Sequence, residues 1–441
     1  TEYDWLGPIP MHWQWLYLSQ TCTEKQIKNT GNIEKNVLSL SYGKIVPRKN
    51  IDFGLAPKDY ASYQIVDKDN IILRLTDLQN DHKSLRTGLV KERGIITSAY
   101  TCLKPFQNAA YLQYLLHSYD AKKVFYGMGG GVRQSIGYKD IRNIRIPFPP
   151  RDEQDQIVRF LDWKLAKINK LIQAKKKQIA LLNEQKQVII NHAVTKGLDP
   201  NLPMKDSGIE WIGTIPEHWK VLYLSQTATE QSISNKDIRN QNLLSLSYGK
   251  IINKDINTTD GLLPASFDTY QIVHNGNIIL RLTDLQNDHK SLRVGLVTQT
   301  GIITSAYTCL LPRRNVVPEF LYLLLHSYDV SKVFYGMGGG VRQSIGFDDI
   351  RRLLIPVPPL GEQKQIVDFC YTKSDFIEGL IVSIEKEILL LTEYRTRLIS
   401  DVVTGKVDVH GIVVPDYESI EEITDDELQE DEEADDVEEM E

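Results

Sequence analysis

The stretch that decides the fold is Pro147–Gly197, PFPPRDEQDQIVRFLDWKLAKINKLIQAKKKQIALLNEQKQVIINHAVTKG. It opens with prolines and closes on a glycine, which are typical start and stop signals of a helix. Between them apolar residues recur at steps of three, four or seven and share one helical seam: Ile157, Leu161, Leu165, Ile168, Ile172, Ile179, Leu182 and Ile189. The pattern predicts a helix of roughly 40 residues, about 60 Å long, which would act as a spacer.

The same pattern returns 209 residues later, from Pro356, as PVPPLGEQKQIVDFCYTKSDFIEGLIVSIEKEILLLTEYRTRLISDVVTGK. Its apolar stripe consists of Ile366, Ile377, Leu380, Ile381, Ile388, Leu391 and Leu398. Two equal stripes in one chain can cover each other, so we predict that the two helices form an antiparallel coiled coil. The alternative is that each helix packs on its own domain. Lys175 falls on the first seam, where a polar residue would fix the register at some cost in stability.

The rest of the chain is an internal duplication. The 17 residues Asn70–Arg86, NIILRLTDLQNDHKSLR, return unchanged as Asn277–Arg293, and the 15 residues Lys123–Gly137, KVFYGMGGGVRQSIG, return as Lys332–Gly346. The period of about 207 residues is far too long for a solenoid. The sequence therefore contains two copies of a whole domain, each followed by a long helix.

Each globular copy reads as a mixed α/β domain. In the first copy, β-type runs at Ile71–Leu75, Ile95–Leu103 and Asn143–Pro147 flank a helical segment at Ala110–Asp120. We therefore predict an α/β protein with two globular domains separated by two long helices. The predicted parts are a first domain at 1–146, a first spacer helix at 147–197, a second domain at 198–355, a second spacer helix at 356–406 and an acidic, disordered tail at 407–441.

Composition indicates a globular protein with a basic body. The 441 residues are 41% hydrophobic and 25% charged. No run of 18 apolar residues and no N-terminal signal pattern is present, so we expect a cytoplasmic protein. The net charge of −7 includes 16 acidic residues between Asp416 and Glu441, which leaves +9 on residues 1–415. Such an acidic block is normally solvated, although it could also compete with nucleic acid for the basic surface.

The sequence offers no recognisable catalytic motif. Glycines at Gly127 and 129–131 lack the spacing of a dinucleotide loop, and no Gly-Lys-Ser/Thr follows them. The tetrapeptide expected of an amino-methyltransferase is absent, and Pro415-Asp416 is not followed by the lysine of a nuclease site. The four cysteines, Cys22, Cys102, Cys309 and Cys370, are predicted to be buried free thiols. These observations favour a binding protein, and we expect no metal and no catalytic residue in this chain.

Two polar loops could bind DNA. The repeated runs supply Arg for guanine, Asn or Gln for adenine, and Lys for phosphate. A basic body with two copies of such a loop suits two half-sites on duplex DNA better than RNA. The alternative is that both loops are ordinary turns, with Arg74 and Asp77 neutralising each other. The candidate residues are Arg74, Thr76, Gln79, Asn80, His82, Lys83, Arg86, Arg133 and Gln134, with their copies Arg281, Thr283, Gln286, Asn287, His289, Lys290, Arg293, Arg342 and Gln343.

Three features together resemble the specificity subunit of type I restriction-modification systems. They are DSGIEWIGTIPEHW at Asp206–Trp219, the motif I-P-x-P-P followed by E-Q-x-x-I-V at Ile146–Val158 and Ile355–Val367, and the order domain, helix, domain, helix. The resemblance covers the chain up to about Lys406. The acidic tail is not part of it.

The resemblance implies a non-catalytic subunit with two target-recognition domains. In that family the subunit associates with two methyltransferase subunits, which use S-adenosylmethionine to methylate adenine, and with ATP-driven restriction subunits. S-adenosylmethionine, ATP and Mg are accordingly expected in partner subunits, with no cofactor in this chain. A related system with one fused methyltransferase-nuclease partner would have the same architecture. A scaffold whose acidic tail mimics DNA is a further alternative.

The duplication predicts the form of the DNA target. Antiparallel helices would relate the two domains by a pseudo-twofold axis, so identical loops would face inverted half-sites separated by an unread gap. On this hypothesis Arg86→Ala or Arg293→Ala weakens binding at one half-site. Alternatively, the identical stretches are core or partner-facing surface, and specificity lies in the divergent pairs, 23–36 against 229–242 and 45–63 against 251–270.

Overall fold

The computed structural model describes residues 5–41, 43–48, 59–78, 85–128, 136–236, 241–255, 266–283, 285, 292–337 and 345–417. The chain forms two compact units, Thr1–Lys176 with Glu385–Glu441, and Lys177–Ile384. The first unit thus joins the beginning of the chain to its end, and each unit contains part of both long helices. This division differs from the linear series of domains expected from the sequence.

The first unit is a mixed helix and sheet structure. Its strands are β1 Gln14–Tyr17, β2 Cys22–Glu24, β3 Leu38–Ser41, β4 Lys44–Pro47, β5 Gln64–Val66, β6 Ile71–Leu73, β7 Thr87–Leu89, β8 Gly94–Ile96, β9 Thr101–Pro105 and β10 Arg145–Phe148. Its helices are α1 Ala109–Ala121, α2 Tyr138–Ile141, the first part of α3 Arg151–Lys196 and the last part of the second long helix, α7 Leu360–Val403. The strands pair antiparallel in the orders β2-β9-β6-β7, β1-β10, β3-β4 and β5-β8.

Strand β6 is buried on both faces, which explains its continuous apolar sequence. Ile71 and Leu73 contribute to the main core, which includes α1 and the start of α3. Ile72, between them, contributes to a smaller core on the opposite face of the sheet. This alternation follows from the two-residue period of a strand.

The second unit repeats this arrangement. Its strands are β11 Met204–Ile209, β12 Gly213–Pro216, β13 Lys220–Tyr223, β14 Ala228–Glu230, β15 Ile233–Ser234, β16 Leu244–Ser247, β17 Lys250–Asn253, β18 Gln271–Val273, β19 Ile278–Leu280, β20 Val294–Leu296, β21 Gly301–Ile303, β22 Thr308–Pro312 and β23 Leu354–Val357. Its helices are the last part of α3, α4 Leu224–Thr227, α5 Pro318–Val330, α6 Phe347–Ile350 and the first part of α7 Leu360–Val403. The main sheet has the order β14-β22-β19-β20, equivalent to that of the first unit.

The predicted elements of the first domain have small differences from the observed ones. The helix expected at Ala110–Asp120 is α1, where the side chain of Asn108 caps the helix by accepting from Tyr111 N at 3.0 Å. The single strand expected at Ile95–Leu103 is wrong, because a turn with a Tyr100 N to Thr97 O hydrogen bond of 3.3 Å separates β8 from β9.

The two long helices begin and end where the sequence indicates. Helix α3 follows two prolines and is closed by Gly197 at φ +78°. Helix α7 has the same start, and Gly405, two residues beyond its end, has φ +75°. At the start of α7, Glu362 accepts from Trp219 Nε1 at 2.9 Å and contacts His218 Nε2 at 2.7 Å. The two motifs that carry the family resemblance therefore contact each other in the second unit.

The helices pack against each other within each unit, as predicted. In the first unit, Ile157, Leu161 and Ile168 share a core with Leu398 and Val402. Lys175 forms an ion pair with Glu387 there, so the seam lysine is paired across the helices.

In the second unit, Ile190 and Val194 share a core with Ile366 and Cys370, and Lys186 Nζ lies 3.4 Å from Glu378 Oε1. Two assignments to the seam need correction. Ile190 is buried rather than Ile189, and Leu380 is 40% exposed, whereas Ile384 is buried. The helical period of 3.6 residues moves the apolar face by one position over this length.

The four cysteines are free and buried, which confirms the prediction. Burial raises the pKa of each thiol to about 12. They therefore behave as apolar core groups and not as nucleophiles.

Candidate nucleic-acid interface

The structure describes six of the candidate DNA-binding residues: Arg74, Thr76 and Arg86 in the first unit, and Arg281, Thr283 and Arg293 in the second. The other candidates lie outside the described residues: Gln79, Asn80, His82, Lys83, Arg133, Gln134, Gln286, Asn287, His289, Lys290, Arg342 and Gln343. The structure therefore shows the candidate interface at the segments that flank the two loops.

Arg86 is fully buried and holds the ends of the first loop together. Its guanidinium donates from Nη1 to the carbonyl oxygens of Arg74 and Thr76 at 3.1 and 2.7 Å, and from Nη2 to that of Asp77 at 3.2 Å. Its backbone N–H donates to Asp120 Oδ2 at 2.7 Å. The segment before the first loop, at residues 74–77, is thus hydrogen-bonded to Arg86, which follows the loop.

The same arginine also reaches the start of the second loop. Its Nε donates to the hydroxyl of Tyr126 at 2.8 Å, and its Cζ lies 5.1 Å from the centre of that ring. The amide of Ile136, where the second loop returns, donates to Leu75 O at 3.0 Å. The described ends of the two loops consequently lie beside each other in the first unit, which the sequence alone did not predict.

The second unit contains the same arrangement. Arg293 is fully buried, and its Nη1 donates to the carbonyl oxygens of Arg281 and Thr283 at 3.2 and 2.7 Å. Its Nε donates to the hydroxyl of Tyr335 at 2.9 Å. The buried arginine and its tyrosine therefore make equivalent contacts in the two units.

This burial corrects the roles expected of Arg86 and Arg293. Both side chains have 0% exposure, so neither guanidinium is placed to contact a base or a phosphate. A buried cation is tolerated because several carbonyl oxygens accept its hydrogen bonds. Instead, the two arginines connect the described ends of the loops through hydrogen bonds to backbone carbonyl oxygens. Arg74, Thr76, Arg281 and Thr283 are half-buried and keep part of their surface accessible.

Sequence reasoning missed Lys123 and its copy Lys332. Both are exposed and lie at the end of α1 and α5, and each precedes a short 3₁₀ helix that leads to the second loop. Lys123 Nζ lies 4.5 Å from the Tyr126 ring centre and donates to its hydroxyl at 3.2 Å. The available signal was that both lysines open the identical 15-residue repeats.

Two residues of the divergent segment 23–36, Lys25 and Glu34, belong to a charged network with Asp67 and Arg93. In the first unit, Asp67 accepts from Lys25 Nζ at 2.6 Å and from Arg93 Nη1 at 2.9 Å, and Arg93 also pairs with Glu34 at 3.2 Å. The hydrogen bond from Lys25 is the main cause that lowers the pKa of Asp67. These four residues form a charged network.

The second unit replaces this network by less charged groups. His274, Thr300 and Gln231 stand at the positions of Asp67, Arg93 and Lys25. His274 Nδ1 lies 3.3 Å from Thr300 Oγ1. The two units therefore differ in charge beside the segments 23–36 and 229–242.

The described residues bring together no group of three or more His, Cys, Asp or Glu side chains that could hold a metal ion. Among the helices that the structure describes, none combines the length and apolar character needed to cross a bilayer.

Comparisons with known proteins identify the family. The sequence model described as the type I restriction modification DNA specificity domain matches residues 56–181 and 294–386. A putative type I restriction enzyme specificity subunit, MjaX, from Methanocaldococcus jannaschii is 28% identical over 70% of this chain and 71% of its own length. The MjaVIII specificity subunit of the same organism is 25% identical over 79% of this chain and 82% of its own.

A solved structure supports the same fold. It is described as the structural basis of complex assembly and conformational transition of the type I R-M system, and one of its chains aligns with a TM-score of 0.59 at 15% identity. The alignment covers 91% of this chain and 100% of that one. With two copies of the recognition domain, two long paired helices and these relatives, the chain belongs to the DNA-recognising specificity subunits of type I restriction-modification systems.

Proposed function

We propose that this subunit directs adenine methylation and ATP-dependent cleavage to a gapped DNA site with inverted or nearly inverted halves. The observation that carries the proposal is the duplication of the loop base. Arg86 with Tyr126, and Arg293 with Tyr335, make the same contacts at the bases of two identical loop sequences. Equal reading elements favour equal half-sites, because each would offer the same donors and acceptors to the base edges.

The proposed partners are two methyltransferase subunits, which bind S-adenosylmethionine, and restriction subunits, which bind ATP and Mg. Exposed apolar side chains on the long helices support docking of further subunits. In the first unit, Leu389, Leu390 and Tyr394 of α7 are each more than half exposed, and in the second unit so are Phe376 and Val382. In this proposal the chain supplies sequence recognition and its partners supply the chemistry.

Mapping of modified adenines tests the proposal. The full chain is co-expressed with its cognate methyltransferase subunit in a host that lacks adenine methylation, and modified adenines are located across the genome. One gapped motif with matching inverted halves is the expected result. If the two subunits fold and co-purify but no adenine is methylated, the proposed function is contradicted.

A second candidate for the specificity surface is the pair of divergent segments. Lys25 and Glu34 of segment 23–36 pair with Asp67 and Arg93 in the first unit, whereas the uncharged Gln231 stands at the position of Lys25 in the second, and this difference favours unlike half-sites. Cleavage assays on two DNAs, each carrying one half-site in both positions, separate the two possibilities. Equal cleavage of both supports the identical loops, and loss of cleavage on both supports the divergent segments.

A further inference from the structure

Lys123 and Lys332 have an unusual backbone conformation. Their φ angles are +59° and +57°, in the left-handed region that glycine and asparagine favour. A lysine in this region costs about 1–2 kcal/mol. The positive φ occurs at the equivalent position of both units. The preceding residue differs, because it is Lys122 in the first unit and Ser331 in the second. Strained residues of this kind are concentrated at functional sites.

The side chain of each lysine is stacked on a tyrosine that already binds an arginine. In the first unit, Lys123 Nζ and Arg86 Cζ lie 4.5 and 5.1 Å from the same ring centre of Tyr126. In the second unit, Lys332 and Arg293 lie 4.8 and 5.1 Å from the ring centre of Tyr335. Each ring attracts two cations and so brings two positive charges close together.

The arrangement favours an anion on its outer side. The arginine of each pair is buried and committed to backbone carbonyl oxygens, whereas the lysine is exposed. A phosphate would be an additional partner of the exposed ammonium group, through a charge-assisted hydrogen bond. In the first unit the lysine also lies at the described ends of both loops, Arg86 and Tyr126, so DNA bound at these ends would bring its backbone to Lys123.

We propose that Lys123 and Lys332 each contact a phosphate of the DNA backbone, held in position by the Arg86–Tyr126 and Arg293–Tyr335 pairs. This rests on the proposed function. Because phosphate carries no sequence information, the two lysines contribute affinity to any duplex, and base reading belongs to other residues.

Glycine substitution separates the charge from the fold. Lys123→Gly and Lys332→Gly remove the ammonium group, and glycine adopts a positive φ without strain, so the variants should melt at or above the temperature of the unmodified protein. Lys122→Ala is the matched control, because it removes one exposed positive charge from the adjacent position. Lys123→Arg keeps the charge and should keep the salt dependence.

The measurement is binding of the purified full chain, with its methyltransferase partner, to a target duplex and to an unrelated duplex as salt rises from about 50 to 200 mM. Each glycine variant should reduce the slope of log K against log salt by about 0.9 on both duplexes, and the double variant by about 1.8. Lys122→Ala should leave the slope unchanged.

Two results would overturn the inference: an unchanged slope in the glycine variants, or an equal reduction in Lys122→Ala. If the unmodified complex binds both duplexes equally well, the proposed function is contradicted. If it binds neither duplex, the proposed function and the lysine–phosphate contact are both contradicted.

Discussion

The carbonyl oxygen of Asn36 lies 2.6 Å from the position that a Cβ atom on Gly94 would occupy. The same oxygen accepts a hydrogen bond from Ile95 N at 2.8 Å, which fixes it in place. In the second unit Asn242 and Gly301 have the same relationship, also at 2.6 Å. The end of each divergent segment is therefore held against the start of a core strand, at a point where only glycine fits.

Gly94→Ala and Gly301→Ala should each destabilise the protein by about 1–3 kcal/mol, because the added methyl group meets a backbone atom that cannot move freely. Chemical denaturation measures the change. Gly361→Ala is the control, since nothing lies within 4 Å of its added Cβ. Equal stability of Gly94→Ala and the unmodified protein would contradict this packing.

Removal of the buried guanidinium should also destabilise its unit. Arg86→Met leaves the carbonyl oxygens of Arg74 and Thr76 without these donors in a buried site, at a cost of at least about 3 kcal/mol. Tyr126→Phe removes only the hydroxyl that accepts from Nε and should cost about 1.5–3 kcal/mol.

Arg93→Met is the comparison for these two variants, because Arg93 is an exposed, ion-paired arginine of the same unit. It should cost less than about 1 kcal/mol. Denaturation of the three variants ranks the losses, and an Arg86→Met variant no less stable than Arg93→Met would contradict the assigned role.

Gly379→Ala should stabilise α7 by about 0.5–1 kcal/mol. Gly379 is an exposed residue in the interior of the helix, and nothing lies within 4 Å of its added Cβ. Alanine reduces the backbone entropy lost on folding and makes no new contact. A rise of the melting temperature with unchanged binding to DNA is the expected measurement, and a fall would indicate that a partner or a neighbouring residue occupies this face.

The sequence predicted the elements that depend on local patterns. The prolines before α3 and Gly197 after it mark the helix because their preferences act over a few residues. The role of Arg86 depends on Tyr126, 40 residues away, and on carbonyl oxygens that face it only after the sheet has formed. Residue type alone cannot distinguish an arginine that binds phosphate from one that binds its own backbone.

The composition of the first unit was unpredictable for the same reason. Tyr111 donates to Val403 O at 3.2 Å across 292 residues of sequence, and Gln156 donates to Ile412 O at 2.7 Å. A duplicated sequence indicates two similar domains, but it does not tell which copy of the helix end packs on which domain.

Acid should destabilise the second unit through His326. This residue of α5 is buried beside Lys186 and 6.1 Å from the Tyr322 ring, and burial, assisted by the lysine charge, lowers its pKa from 6.5 to about 4. Between those values the unfolded chain binds a proton that the folded chain does not. The free energy of unfolding is therefore highest above pH 6.5 and falls by up to about 3 kcal/mol as the pH is lowered to about 4.

Denaturation measured at several pH values tests this contribution. His326→Gln removes the titrating group, so the variant should lose stability less steeply between pH 6.5 and 4 than the unmodified protein does. His117→Gln, at the equivalent and only half-buried position of α1, leaves His326 intact and should retain the steep decline. An identical pH dependence in the His326→Gln variant would show that the acid sensitivity arises elsewhere, because a side chain that cannot bind a proton contributes nothing to the linkage between protonation and folding.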